Sequence, residues 1–252
     1  VRYSSRVSPK DRLRIKIWKK NYGGGNASFS EIIASYEQIL KFWPDDLETY
    51  REISMISFYE WYFADAARFA ERGLEYYPDD YQLRSRFAWG LNASGKNRLA
   101  LREGLTNVSL FPDNKNEWDN LGLFYIASAM PDSADWAFRR ALNIDPKFVW
   151  SLYGMAFSEY CRGNIDLSVE KTEMILKNIE LGSGAKRTLL VNMRHEPGLA
   201  FFHAEAGCYG KALEMFKQAS HLVSSFREHT RLERERFWLL ERMGKGEQML
   251  RI

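Results

Sequence analysis

The stretch that decides the fold is KNEWDNLGLFYIASAMPDSADWAFRRALNIDPKF, residues 115–148. Apolar and small residues recur in it every three or four positions, which is the spacing of the buried face of a helix. Pro146 ends the second of two helices, because proline lacks the backbone N–H and clashes with the preceding turn. The stretch therefore predicts a pair of helices.

The same arrangement recurs along the chain at an interval of 34 residues. Proline occurs at positions 44, 78, 112 and 146, and the first three prolines follow an aromatic residue and precede an aspartate. In this register, small residues align where two helix backbones must come close. Two such columns are Ser54, Ala88, Gly122 and Ala156, and Ala66, Ala100, Ala134 and Ser168. A helix pair that packs on its neighbours in this way predicts a repeat array.

These columns resemble the tetratricopeptide repeat (TPR) family. The unit at 115–148 has all eight of that family's signature residues, which are Trp118, Leu121, Gly122, Tyr125, Ala134, Phe138, Ala141 and Pro146. Arg84, at the first aromatic column, is the clearest departure in the neighbouring units. The resemblance implies an all-α fold, a right-handed α-solenoid of antiparallel helix pairs that coils into a superhelix, with a C-terminal capping helix.

The register divides the chain into consecutive segments. We predict TPR units at 47–80, 81–114, 115–148 and 149–182. We predict that residues 1–46 contain a basic N-terminal helix and a degenerate unit. The helix is expected to begin with Ser8 as its cap and Pro9 at its first position. Residues 183–192 are an insertion, 193–226 are another degenerate unit, and 227–252 are a capping helix.

The resemblance also implies where a partner would bind. In this family the first helices line the concave inner wall, and the residues facing inward are those not used for stacking. They are Arg51, Met55, Phe58, Tyr59, Ser85, Trp89, Asn92, Asn116, Asp119, Asn120, Leu123, Ile126, Trp150, Tyr153, Phe157 and Tyr160.

This set is rich in aromatic residues and keeps too little of the lysine, asparagine and arginine set with which one TPR subgroup grips chaperone tails. It favours an apolar helix or an extended peptide, with aromatic anchors supplying most of the binding energy. Two alternatives remain open. Individual rings could pack between neighbouring helices, and the terminal helices of the chain could fill the groove.

The net charge of +3 conceals a basic N-terminus. Residues 1–20 contain eight Lys and Arg residues and one acidic residue, Asp11, so they carry +7 and the remainder carries −4. Such a cluster is able to contact nucleic acid, acidic lipid or an acidic protein. The alternatives are a solvated helix face or a tether to an upstream segment.

The sequence predicts no catalytic site, cofactor or metal. His195, His203, His221 and His229 lack metal-ligand spacing, and we expect Cys161 and Cys208 to be small buried residues. With no apolar run long enough for a membrane span, we expect a soluble, cytoplasmic chain without a small-molecule substrate. The predicted function is a non-catalytic module that binds a peptide or a partner subunit. The alternatives are a regulatory or sensory region of a larger signalling enzyme or transcription regulator, and nucleic-acid binding through the N-terminus. Homo-oligomerisation is left open.

Overall fold

The computed structural model describes residues 8–22, 28–191, 198–223 and 226–242. It divides into two compact units, Val1–Phe111 and Pro112–Ile252. The described residues of the first unit form the helices α1 (Pro9–Tyr22), α2 (Phe29–Phe42), α3 (Leu47–Tyr59), α4 (Phe63–Tyr76), α5 (Tyr81–Ala93) and α6 (Asn97–Leu110). Those of the second unit form α7 (Lys115–Ala127), α8 (Pro131–Ile144), α9 (Val149–Cys161), α10 (Ile165–Asn178), α11 (Ser183–Val191), α12 (Leu199–Glu205), α13 (Tyr209–Ser220) and α14 (Phe226–Arg242).

Polar side chains cap the first turns of several helices. The backbone N–H of Asp11 donates to Ser8 Oγ at 3.1 Å, as predicted for the start of α1. Asp46 caps α3 by accepting from Thr49 N at 3.1 Å, and Asp80 caps α5 by accepting from Leu83 N at 3.0 Å. Each cap satisfies a backbone donor that has no partner within the helix and contributes about 1 kcal/mol.

The turns inside the helix pairs from α3 and α4 onward are the same motif, repeated. In each, one residue has a positive φ angle: Trp61, Gly95, Ala129, Gly163 and Gly207. The next residue donates its N–H to the carbonyl five positions earlier, as from Lys96 to Leu91 at 2.9 Å. This is a Schellman cap, whose left-handed residue is usually glycine because a Cβ is strained there. The first four lie 34 residues apart, and Gly207 follows Gly163 by 44, ten more than the interval.

Small residues permit the close approach of helices that the sequence predicts. Ser54, Ala88 and Ala156 are fully buried. In the second unit, Phe138 of α8 fills the space beside two glycines. A Cβ on Gly122 of α7 would lie 2.3 Å from the Phe138 ring, and one on Gly154 of α9 would lie 2.5 Å from it. The aromatic ring therefore takes the room that the two glycines leave.

The first aromatic column of the repeat contains Tyr50, Arg84 and Trp118. Each of these residues donates a hydrogen bond that helical periodicity does not indicate. Tyr50 donates from its hydroxyl to the Pro44 carbonyl at 2.9 Å, and Trp118 donates from Nε1 to the Pro112 carbonyl at 2.7 Å. Arg84 donates to the Pro78 carbonyl in the same way. Its guanidinium thus replaces the aromatic donor, which explains how the departure from the family pattern is tolerated.

The C-terminal part of the second unit contains one helix, α11, that the 34-residue register does not indicate. The predicted insertion contains α11, whose Leu189, Leu190 and Val191 are buried. Gly198 precedes the short helix α12, and α13 buries Phe216. On α14, within the predicted capping segment, Leu232 and Leu240 are buried and Phe237 is half exposed. Among the described residues, no helix has the length and apolar character required to cross a membrane.

Candidate functional site

A cleft of about 320 Å³ lies between α1 and α3 in the first unit. Its lining residues are Arg14, Ile15 and Trp18 of α1, Tyr36 of α2, and Glu52, Met55 and Ile56 of α3. Ile15 and Trp18 are 45% and 60% exposed, so the rim presents apolar side chains to solvent. Met55 is the predicted site residue that the structure places in this cleft.

Two cations of the basic N-terminus hold α1 against the start of α3. Lys10 Nζ donates to Asp46 Oδ1 at 2.6 Å, and Arg14 Nη2 donates to Oδ2 at 2.7 Å. Burial acts to raise the Asp46 pKa, but the hydrogen bonds from Lys10 and Thr49 and the Arg14 charge outweigh it, so the pKa lies below its ordinary value. Part of the predicted basic cluster therefore has a structural role.

Glu52 is the one carboxyl among the described lining residues of the cleft. Burial raises the Glu52 pKa, and the positive charge of Arg14 opposes this shift only in part. Glu52 also accepts a hydrogen bond from Tyr36, and Arg14 is paired with Asp46, so both charged groups of the cleft have partners within the fold. The remaining lining residues Ile15, Trp18, Met55 and Ile56 are apolar, which favours binding of apolar groups.

Further along the first helices, α3 and α5 share an aromatic cluster. The Phe58 ring contacts the Trp89 ring edge to face, with centroids 5.9 Å apart, and also contacts Phe63 at 5.5 Å. Phe58 and Trp89 are half-buried, whereas Tyr59 is 71% exposed. The predicted residues Phe58 and Trp89 therefore support the surface, and Tyr59 projects from it.

The predicted polar residues of the first unit are partly buried. Arg51 donates from Nε to Asp80 Oδ2 at 3.0 Å and from Nη1 to Glu48 at 3.0 Å, so it links α3 to the cap of α5. Ser85 and Asn92 are half-buried. The Asn92 Oδ1 atom is buried and accepts no hydrogen bond from the described residues.

In the second unit, two predicted wall residues of α7 are buried, which corrects the prediction for both. Leu123 is 8% exposed, as is Asp119. Ser151 Oγ of α9 donates to Asp119 Oδ1 at 2.6 Å. Burial raises the Asp119 pKa to about 7, and this hydrogen bond opposes the shift. Asp119 thus joins the first helices of two neighbouring pairs instead of facing a partner.

The remaining residues predicted on α7 and α9 differ in exposure. Asn116 is exposed, while Asn120, Ile126 and Trp150 are half-buried. Tyr153 is fully buried among side chains that include Leu189 and Phe202. The prediction that it lines the wall is wrong, because α11 and α12 cover this part of α9.

Phe157 and Tyr160 are half-buried and pack against the cluster that includes Tyr153, Leu189 and Phe202. Their rings stack with centroids 6.1 Å apart. Tyr160 also contacts Phe201 and Phe202, both at 5.4 Å. The alternative that individual rings pack between helices therefore describes this end of the predicted surface better than an open groove does.

The cysteine prediction is wrong, because Cys161 and Cys208 are both exposed. His203 is buried with Nε2 3.5 Å from Glu173, and burial lowers its pKa. His195 lies outside the described residues. In the part of the chain that the structure describes, no group of three or more His, Cys, Asp and Glu side chains could hold a metal ion.

The prediction from sequence omitted Ile15 and Trp18. A signal for them exists in the spacing of α1. Leu13 and Ile17 pack toward the core of the first unit, so Ile15 and Trp18, three positions apart, form a second apolar strip on another face. A helix that exposes a second apolar strip, in addition to the one buried in the core, is a candidate for an interaction surface.

Comparisons with solved structures identify the fold. A tetratricopeptide repeat protein from Parabacteroides merdae matches 95% of this chain and 89% of its own, with a TM-score of 0.66 and 16% identity. A thermophilic TPR protein of Thermus thermophilus matches 75% of this chain and 98% of its own, with a TM-score of 0.63 and 15% identity. PilW, a type IV pilus biogenesis factor, matches 90% of this chain and 99% of its own, with a TM-score of 0.60 and 14% identity.

No family model and no curated protein matches the sequence. At these identities the structural matches establish the architecture, and they agree with the eight signature residues of the unit at 115–148. The predicted fold class, an all-α fold of antiparallel helix pairs like those of TPR structures, is confirmed. The chain has the fold of the tetratricopeptide repeat proteins.

Proposed function

We propose that this chain is a non-catalytic interaction module that binds a peptide or a partner subunit on the first helices of its first unit. The observation that carries the proposal is the row of exposed or partly exposed apolar side chains along α1 and α3. Ile15 and Trp18 form one side of the cleft, Met55 lines the other, and Tyr59 projects further along α3. Solenoid folds present their first helices as such a surface.

The chemistry of the cleft supports binding over catalysis. Glu52 and Arg14 are the charged groups in its lining, whereas general acid–base or nucleophilic catalysis needs convergent groups with matched proton affinities. Large exposed side chains such as Trp18 and Tyr59 supply much contact area with few rotatable bonds, and such residues dominate the energetics of interfaces. A regulatory region of a larger signalling protein would use the same surface.

Selection from a display library of random 12-residue peptides tests the proposal. The intact chain is immobilised, enriched peptides are synthesised, and their affinities are measured by fluorescence polarisation. We expect the double substitution Met55→Ala and Tyr59→Ala to weaken the enriched peptides by about tenfold or more, because each side chain is a candidate anchor. Thermal melting of each variant establishes that it remains folded.

The matched control is Phe42→Ala, which removes an exposed aromatic ring at the end of α2, outside the cleft lining. We expect it to change affinity by less than about twofold, as at a site outside an interface. Failure to enrich any peptide would overturn the proposal. So would peptides that bind the double variant and the intact chain equally well.

A further inference from the structure

We infer that the α1–α3 cleft receives an acidic chain segment carrying a large apolar side chain. This inference rests on the proposed function and adds the chemistry of the partner. It combines two properties that meet at α1, a cationic rim and an apolar interior.

The cationic rim is the exposed side of α1. Between Pro9 and Lys19 the helix has five cations, Lys10, Arg12, Arg14, Lys16 and Lys19, against Asp11. Lys10 and Arg14 are already paired with Asp46. Arg12 and Lys19 are exposed and lie three positions before and four positions after Ile15, so both flank it on the same side of the helix. Asp11 is the one acid of this helix, so the net charge beside the apolar strip is positive, and it complements a partner with carboxylates.

The apolar interior distinguishes a chain segment from other acidic partners. Tyr36 of α2 and Met55 and Ile56 of α3 form the cleft together with the α1 strip. A side chain on a flexible or helical segment can enter a space of about 320 Å³ between two helices. A bilayer surface or a nucleic-acid backbone would meet the cations of α1 without filling this interior. The combination therefore favours a peptide over a membrane or RNA.

Glu52 does not oppose an acidic occupant strongly. Its carboxyl lies among the side chains that line the interior of the cleft, apart from the exposed cations of α1. Partner carboxylates would instead lie outside the cleft, near Arg12 and Lys19, while the apolar side chain enters between Trp18 and Met55. The carboxylates are then attracted by the cations at the rim, while apolar surface is removed from water in the interior. Interfaces commonly combine a polar rim with an apolar core in this way.

The test measures two properties of the peptides enriched by the intact chain. We expect an excess of Asp and Glu together with Leu, Phe or Trp. For a synthetic acidic peptide from that set, we expect Arg12→Glu with Lys19→Glu to weaken binding by about tenfold or more, and Trp18→Ala to do the same. Affinity should also fall as sodium chloride rises from 50 to 500 mM, because the rim charges are exposed.

The control for the charge reversal is Lys96→Glu with Arg98→Glu, which changes two exposed cations at the start of α6 by the same amount. It should leave affinity within about twofold of that of the intact chain, since these cations lie away from the cleft. A version of the peptide with lysine at every acidic position should bind at least about tenfold more weakly.

The failures of the two proposals are distinguishable. Enriched peptides that are neutral or basic, or that bind equally after Trp18→Ala, would overturn the inference and leave an interaction module with a different site. Tighter binding to vesicles containing phosphatidylserine, or to a 20-nucleotide RNA, than to the acidic peptide would overturn it in favour of a membrane or nucleic-acid surface. If no peptide is enriched at all, the proposed function fails together with the inference.

Discussion

The two units place residues of the same repeat column in different environments. Met55 of α3 and Phe157 of α9 are three repeat intervals apart and occupy equivalent positions on first helices. Met55 lines an open cleft, whereas Phe157 stacks on Tyr160 within a cluster that includes Phe202 of α12. Similarly, Arg51 is partly exposed and links α3 to α5, while the equivalent Tyr153 is fully buried.

The difference shows what decides the role of a wall residue in this fold. The repeat fixes the face of the helix on which a side chain lies, but the neighbouring helices fix whether that face meets solvent. In the second unit, α11 and α12 cover part of α9 and use its aromatic residues as core. In the first unit, the residues of α1 and α3 leave a cleft. The same aromatic-rich pattern therefore contributes stability at one site and a candidate interface at the other.

The largest expected effect is a difference in stability between two tyrosine substitutions, one in each unit. Tyr153→Ala should destabilise the protein by about 3 to 5 kcal/mol, because it removes a fully buried aromatic side chain and leaves a cavity. Tyr59→Ala should change stability by less than about 0.5 kcal/mol, since the ring is largely exposed. Urea denaturation followed by far-UV circular dichroism measures both. Equal effects would remove the distinction between a core and a surface role.

The fold could be predicted from the sequence because its determinants are local and repeated. The prolines, the columns of small residues and the helix pairs all recur at the 34-residue interval. Ser54, Ala88 and Ala156 are buried, as that register requires. The site could be predicted only in part. Met55 and Tyr59 are accessible in the structure, but no residue pattern on α9 reveals that α12 will cover Tyr153.

The other errors have the same origin in tertiary packing. Cys161 is in the last turn of α9 and Cys208 precedes α13, so both lie at turns where little packs over them. The predicted site does not include Trp18, because α1 lies before the unit at 47–80, where the family pattern gives no register. Buried Asp119 was counted with the exposed polar residues because the partner that accommodates it, Ser151, is on the next first helix.

A smaller effect is expected at Asp119 of the second unit, which the sequence predicts to face a partner and the structure shows to be buried. Its pKa is about 7 in the folded protein and about 3.9 in an unfolded chain. Between these values the folded state holds a proton that the unfolded state releases, so stability decreases as pH rises from about 4 to 7. Asp119→Asn removes this dependence and should stabilise the protein at pH 8 by about 2 to 4 kcal/mol.

Urea denaturation of both proteins at pH 4, 6 and 8 measures the effect of Asp119→Asn. The two stability curves should converge toward pH 4, which is close to the pKa of the aspartate in the unfolded chain, since most of the pH dependence lies above that pKa. Ser151→Ala provides a control, because it removes the hydrogen-bond donor while retaining the buried carboxyl. A destabilised Asp119→Asn variant at pH 8 would show that the ionised carboxylate is a favourable partner of Ser151.

The smallest expected effect concerns the turns, where the first unit has Trp61 and the second has Gly163 at the equivalent position. Both residues have a positive φ, at 70° and 86°. Gly163→Ala should destabilise the protein by about 1 kcal/mol, because it places a Cβ in the left-handed conformation. A Cβ there would meet no other atom within 4 Å, so backbone strain is the expected cause.

Trp61→Gly should relieve the same strain while losing the contact of the indole with Phe63, whose ring centroid is 5.8 Å away. The two contributions oppose each other, and we expect a net change smaller than about 0.5 kcal/mol. Melting temperatures of the two variants, recorded with Gly95→Ala as a second glycine control, test this expectation. A loss after Trp61→Gly as large as that after Gly163→Ala would show that the ring packing at this turn outweighs the strain. The aromatic cluster around Phe63 would then be a stabilising part of the first unit.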